Sequence, residues 1–137
     1  MPPSIDRIDH VHVFVSDRER AARWYQEVLG LERVAELEFR STQSGGPLVI
    51  ANRARTMHLA LFERPPQPCR STIALAVGKD DFLAWRAHVA RVLGRPPELQ
   101  DHQATWSIYF SDPDGNPFEI TSYDYAALEP SLRREGR

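Results

Sequence analysis

The sequence has few cysteines, no long apolar run and almost no net charge, and each shortage excludes a class of protein. Cys69 is the single cysteine among 137 residues, so the chain has no intramolecular disulfide and no cysteine-based zinc motif. We interpret Cys69 as an unreactive thiol on a loop, because the electropositive surroundings that activate a thiol are not evident in the sequence.

The apolar runs are only a few residues long, which excludes a membrane-spanning helix, and the first residues lack the apolar stretch of a secretory signal. We therefore expect a cytoplasmic protein. A net charge of -2, with both signs interspersed, gives no electrostatic footprint for nucleic acid or an anionic membrane, so neither is expected as a partner. The length fits one globular domain.

What is present is one structural pattern written twice. In the strand predicted over Ile8–Val15, the valines share one face, whereas His10, His12 and Phe14 share the other. The recurring strand covers Ile73–Val77.

A helix follows each of these strands. Ser16 has the capping-box spacing to Glu19, and Asp80 or Asp81 is expected to cap the second helix. Gly30 and Gly94 are expected to end the two helices. Their apolar stripes are predicted at Ala21, Trp24, Tyr25, Val28 and Leu29, and at Phe82, Trp85, Val89 and Val92.

Further strands are predicted after each helix, and turn residues such as those of Asp112–Asn116 separate them. They cover Arg33–Phe39, Leu48–Asn52 and Thr56–Phe62 in the first half, and Thr105–Phe110 and Pro117–Tyr123 in the second.

The prediction is an α+β fold in which two βαβββ repeats form an open, cup-shaped mixed sheet, with one helix per repeat packed outside. It forms a single domain over residues 5–123, with repeats at 5–63 and 72–123 and a linker at 64–71. Residues 124–137 form a charged tail whose last residues are expected to fray.

The face opposite the valines is the candidate site. If the valines pack on the helix, His10 and His12 point into the cup. The positions equivalent to His10 on the other strands are predicted to be His58, Thr72 and Glu119. Two imidazoles and a carboxylate suit a divalent transition metal with open positions for substrate. A strand histidine can equally be a structural residue with satisfied hydrogen bonds. Ser107 and Tyr109 are the polar pair predicted to line the cavity.

Two motifs resemble those of the vicinal-oxygen-chelate superfamily, which includes glyoxalases, bleomycin-resistance proteins and extradiol dioxygenases. The opening motif is similar over Ile8–Val11, Val15–Asp17, Trp24–Tyr25 and Val28–Leu31, and the closing motif over Asp101–His102, Trp106–Phe110 and Asp112–Ile120. The resemblance covers Ile5–Tyr123.

The resemblance implies a metal site with His10 as the ligand on the first strand and Glu119 as the ligand on the last. His58 would take the fourth position that glyoxalases fill with a carboxylate. Thr72 departs from the pattern, because the family has a histidine there and a neutral hydroxyl is a poor ligand. Either His58 completes the set with a metal such as Fe, Mn, Ni, Zn or Co, or the metal is weak or absent.

Two functions follow from the resemblance. The first is a metal-dependent enzyme that chelates neighbouring oxygens of a small substrate, with dioxygenase-like or lyase/isomerase chemistry. His102 would be its acid-base residue, unless it is an exposed loop histidine, and His12 would contact substrate or support a ligand. The alternative is a non-catalytic binding protein that sequesters a small aromatic or cationic compound. A homodimer is expected in either case.

Overall fold

A computed structural model of the chain describes residues 1–65, 67 and 71–133. The chain forms two compact units, Met1–Gln67 and Pro68–Arg137, and each contains one four-stranded mixed sheet. The boundary between them falls inside the stretch predicted as a linker. Both units have the predicted βαβββ order, so the α+β class is confirmed. Cys69 lies outside the described residues.

The sheet of the first unit has the strand order β1-β4-β3-β2, in which β1 runs parallel to β4 and the other pairs are antiparallel. Its elements are β1 (His10–Val15), α1 (Arg18–Leu29), β2 (Glu32–Arg33), a 3₁₀ turn (Ala35–Leu37), α2 (Glu38–Ser41), β3 (Leu48–Ala51) and β4 (His58–Glu63). The sheet of the second unit has the equivalent order β5-β8-β7-β6, with β5 parallel to β8. Its elements are β5 (Ile73–Ala76), α3 (Lys79–Leu93), β6 (Glu98–Asp101), β7 (Trp106–Ser111), β8 (Pro117–Ser122) and α4 (Tyr125–Arg133).

The alternation along β1 decides which face of the first sheet is free. Val13 and Val15 are buried, and α1 packs on the sheet with Tyr25 fully buried. His10 and His12 are exposed on the opposite face, as predicted. Burial of the valines and of the α1 stripe therefore fixes the orientation of the histidines.

The strand predicted over Arg33–Phe39 is wrong. Only Glu32–Arg33 pairs with β3, and the chain then turns into the 3₁₀ turn and α2. The Arg33 guanidinium bonds Glu38 Oε1 at 2.7 Å and Glu19 Oε2 at 2.6 Å, which joins this helical segment to α1. The Ala, Leu and Glu residues of the segment favour helix, and these ion pairs hold it in place.

The predicted helix starts are also wrong, whereas the glycine ends are confirmed. Asp17, not Ser16, caps α1 by accepting a hydrogen bond from Arg20 N at 3.0 Å. Gly78 is the N-cap of α3 and supplies no side chain. Instead, Asp124 Oδ2, which lies beyond β8, accepts a hydrogen bond from Lys79 N at 2.9 Å. Gly30 and Gly94 have the positive φ expected of helix C-caps.

Two elements were not predicted. β6 is a mostly polar edge strand, so its sequence lacks the apolar alternation that indicates a strand. α4 lies in the predicted tail, where Leu128 and Leu132 are buried and the Tyr125 ring stacks on Trp106 at 5.4 Å. No described helix combines the length and apolar character needed to cross a membrane.

Candidate active site

A cleft of about 330 Å³ opens on the free face of the first sheet. One side carries imidazoles and the floor is largely apolar; the lining residues are Asp9, His10, His12, Leu37, Arg40, Pro47, Val49, His58, Ala60 and Phe62. All of them belong to the first unit. The strand alternation that buries the valines thus gathers three of the five histidines of the chain around one cavity.

His10 is oriented by the residue that precedes it. Its Nδ1 lies 2.8 Å from Asp9 Oδ2, and this hydrogen bond is the main cause that lowers the pKa of Asp9. Asp9 is therefore a carboxylate at neutral pH and accepts the Nδ1 proton, so Nε2 is the acceptor nitrogen of the His10 ring. A carboxylate that holds the far nitrogen is the usual support of a metal-binding histidine.

His12 faces the same cleft two residues along β1. Its Nε2 lies 3.1 Å from Nε2 of His10, so the two rings share one hydrogen bond. On the other side, the His12 ring packs on Phe62 of β4, with ring centroids 4.7 Å apart. Two imidazole nitrogens thus stand next to each other above the cleft.

His58 opens β4, directly beside His10 in the parallel register. Its Nδ1 is 3.3 Å from the backbone oxygen of Asp9. It lines the cleft with the other two histidines, and its role as a metal ligand stays a prediction.

α2 and the loop after it form the far rim of the cleft. Arg40 lies on this rim, and its Nε donates to Gln43 at 3.1 Å. Arg18 secures the same segment by donating to the backbone oxygens of Ser41 and Gly46, at 3.1 and 2.7 Å. A side chain at Gly46 would collide with the backbone oxygen of Arg40, so glycine permits this close approach. No described carboxylate lies within ion-pair distance of Arg40.

The second unit holds the predicted carboxylate. Glu119 is half-buried on β8 and accepts a hydrogen bond from Ser107 Oγ at 2.6 Å. Ser107 is fully buried and also lies 3.0 Å from Thr121 Oγ1. The Ser107 hydroxyl is thus committed to positioning the Glu119 carboxylate.

Tyr109 links Glu119 to His102. It pairs with Glu119 across β7 and β8, and its hydroxyl lies 2.8 Å from Nε2 of His102. Burial raises the pKa of Tyr109, and the charge of Glu119 and a hydrogen bond to it raise that pKa further. The phenol therefore stays protonated at neutral pH and can exchange a proton with the exposed imidazole.

Thr72 is exposed and directly precedes β5. In the register of the second sheet Ala74, two residues further on, lies beside Glu119. The position predicted to correspond to His10 therefore offers only a hydroxyl, and the residue beside Glu119 offers no ligand at all.

Comparison with known proteins identifies the family. A model of the glyoxalase/bleomycin resistance protein/dioxygenase superfamily matches residues 7–120. The chain belongs to this superfamily.

The chain is also similar to individual proteins and solved structures. Virulence protein STM3117 of Salmonella typhimurium is 30% identical over 123 residues, which are 87% of this chain and 85% of that protein. A Bacillus anthracis structure assigned to the glyoxalase family has a TM-score of 0.68 at 25% identity, covering 90% of this chain and all of that one. The fosfomycin resistance protein FosX of Listeria monocytogenes, solved with Mn(II) and sulfate, shares the fold at a TM-score of 0.66 and 18% identity, covering 96% and 99% of the two chains.

The ligand set expected from the superfamily divides between the units, with His10 and His58 in the first and Glu119 in the second. Within either unit, no three His, Cys, Asp or Glu side chains of the described residues form a group that could hold a metal ion. The set of His10, His58 and Glu119 therefore stays a prediction.

Sequence reasoning missed seven of the ten lining residues, among them Asp9, Arg40 and Phe62. Asp9 precedes His10 within the opening motif, and its adjacency was the signal that could have identified it. Arg40 and Phe62 gave no such signal, because α2 was predicted as part of a strand and Phe62 has the pattern of an ordinary strand residue.

Proposed function

We propose that this chain is a metal-dependent enzyme that acts on a small molecule bearing two neighbouring oxygens. The observation that carries the proposal is the row of imidazoles along the cleft, in which Asp9 orients His10 so that Nε2 is available to a cation. A divalent metal held there would act as a Lewis acid on both substrate oxygens. Glu119, which is positioned by Ser107, is the proposed carboxylate ligand.

The residues of this chain would bind the substrate and move its proton. Val49, Ala60 and Phe62 form an apolar floor that would cover the non-reacting part of a small substrate. Arg40 is a cation on the rim without a carboxylate partner among the described residues, which favours a substrate with an anionic group. His102 would serve as general base, with the Tyr109 hydroxyl as its neighbour for proton exchange.

Metal analysis of the purified protein tests the proposal. We expect about one transition metal ion per chain, lost in His10→Ala and in Glu119→Ala. His88→Ala is the matched control, because His88 lies on α3 and does not line the cleft. Its metal content should equal that of the wild type. The reaction class is then tested with catechols under Fe(II) and oxygen, where ring cleavage would produce coloured products.

Two features favour the second candidate function, a binding protein without chemistry. Thr72 stands where the superfamily is expected to supply a histidine, and the cleft is floored by apolar side chains. Protein that is metal-free when purified, and takes up no metal on reconstitution, would support sequestration and contradict the enzyme.

We further propose that the protein acts in the cytoplasm as a homodimer. β1 is an edge strand, and the segment that leads into it exposes Ile5 and Ile8. The edge strand of a sheet, with exposed apolar residues beside it, favours pairing with a partner chain.

A further inference from the structure

The metal site proposed above lacks one imidazole. The superfamily pattern expects a histidine at Thr72. His58, the replacement predicted from the sequence, has its Nδ1 3.3 Å from the backbone oxygen of Asp9, which leaves its Nε2 as the possible ligand atom, but this ring is not paired with His10 as the ring of His12 is. A threonine hydroxyl is a poor ligand for transition metals. If the chain binds such a metal, the missing nitrogen has to come from another residue.

We propose that His12 supplies this nitrogen, so that His10 and His12 bind the metal as a pair from one strand. This inference rests on the proposed function and identifies its ligands. Both side chains lie on the free face of β1, because residues two apart on a strand point the same way.

The distance between the two nitrogens fits a shared ion. Nε2 of His10 and Nε2 of His12 are 3.1 Å apart. Two imidazole nitrogens at about 2.1 Å from one ion lie roughly 3.0 to 3.4 Å apart for angles between octahedral and tetrahedral. Binding of a cation by both nitrogens would release the proton that the two rings share.

Neighbouring residues fix the orientation of the His10 and His12 rings. Asp9 fixes the far nitrogen of His10, and the Phe62 ring supports His12 from the opposite side. His58 Nδ1 is also held, by the backbone oxygen of Asp9, but no hydrogen bond joins the side chain of His58 to that of His10 or His12. It lines the same cleft, which makes it the natural comparison in an experiment.

Pulsed EPR of the Cu(II)-loaded protein distinguishes the two ligand sets, because it counts coordinated imidazoles without any enzyme assay. With one equivalent of Cu(II), we expect two imidazoles in the wild type, one in His12→Gln and two in His58→Gln. His10→Gln tests whether the Cu(II) ion occupies the proposed site, and it should also lower the number of coordinated imidazoles. Calorimetric titration with Mn(II) should show a loss of affinity in His12→Gln of at least the roughly 10- to 100-fold that removal of a supporting residue costs, whereas the affinity of His58→Gln should not change.

The outcomes separate this inference from the function on which it rests. Two imidazoles in His12→Gln and one in His58→Gln would overturn the role of His12 while leaving a metal site in place. A wild-type protein that shows no coordinated imidazole would overturn both. Matching circular dichroism spectra of the variants would show that the loss of a ligand does not result from unfolding. His12 is exposed, so its replacement should not disturb the core.

Discussion

At the residue scale, a short contact in the second unit joins a buried hydroxyl to a carboxylate. Ser107 donates to Glu119 at 2.6 Å. We expect Ser107→Ala to lower the free energy of unfolding by about 1.5 to 3 kcal/mol, the usual range for a hydrogen bond to a charged group. Urea unfolding measures this change. Ser111→Ala, at the exposed end of the same strand, is the control and should have little effect; equal losses would show that the contact is not stabilising.

Tyr109 gives the stability a pH dependence in the alkaline range. Its pKa is raised above the ordinary value of 10.0, first by burial and then by Glu119, so the folded chain holds this proton to a higher pH than the unfolded chain. The contribution is fully present below pH 10 and is lost as the pH rises through the raised pKa.

We therefore expect the free energy of unfolding to fall more steeply above pH 10 in the wild type than in Tyr109→Phe. Urea unfolding between pH 8 and 11 measures the difference between the two proteins, in which the contribution of other tyrosines cancels. Tyr123→Phe, at a position 77% exposed, should follow the wild type. Parallel curves for wild type and Tyr109→Phe would contradict the role assigned to Tyr109.

At the element scale, α3 is capped by a residue remote from it in sequence. Its first turn contains Asp80 and Asp81, yet the amide of Lys79 bonds Asp124. In the first unit the amide of Arg18 likewise bonds Glu63, at 3.0 Å. In both units a carboxylate at or just beyond the end of the last strand thus accepts a hydrogen bond from the first backbone amide of the helix.

We expect Asp124→Ala to lower the free energy of unfolding by about 1 kcal/mol, because it removes a cap. Asp80→Ala should cost only the roughly 0.3 to 1 kcal/mol of a charge near a helix N-terminus. Chemical denaturation of both variants gives the comparison. A larger loss of stability in Asp80→Ala than in Asp124→Ala would indicate that Asp80 caps the helix, as the sequence predicted.

The elements differ in how far the sequence could predict them. β1, α1, β7 and β8 have strong periodicity and end close to where it predicts. The segment after Arg33 and strand β6 do not: the segment is held by an ion pair to Glu19 of α1, and β6, whose own sequence is mostly polar, is held by pairing with the next strand, β7. Local patterns carry no information about such partners.

At the scale of the whole molecule, the proposed homodimer predicts a particle of twice the 15.7 kDa chain mass. Multi-angle light scattering after size-exclusion chromatography measures it. Because the segment before edge strand β1 exposes apolar side chains, we expect the mass to persist over a dilution series into the micromolar range. A constant monomer mass at all concentrations would contradict the dimer.

The sequence by itself determined the repeated βαβββ pattern, the face on which His10 and His12 lie, and the candidate residues of the site, since alternation and helical periodicity are local properties of the chain. Only the tertiary structure decided which atoms meet: Asp9 with His10, His10 with His12, Ser107 with Glu119, and Arg40 on the rim of the cleft. Strand register and side-chain rotamers, which depend on packing between distant segments, set those distances.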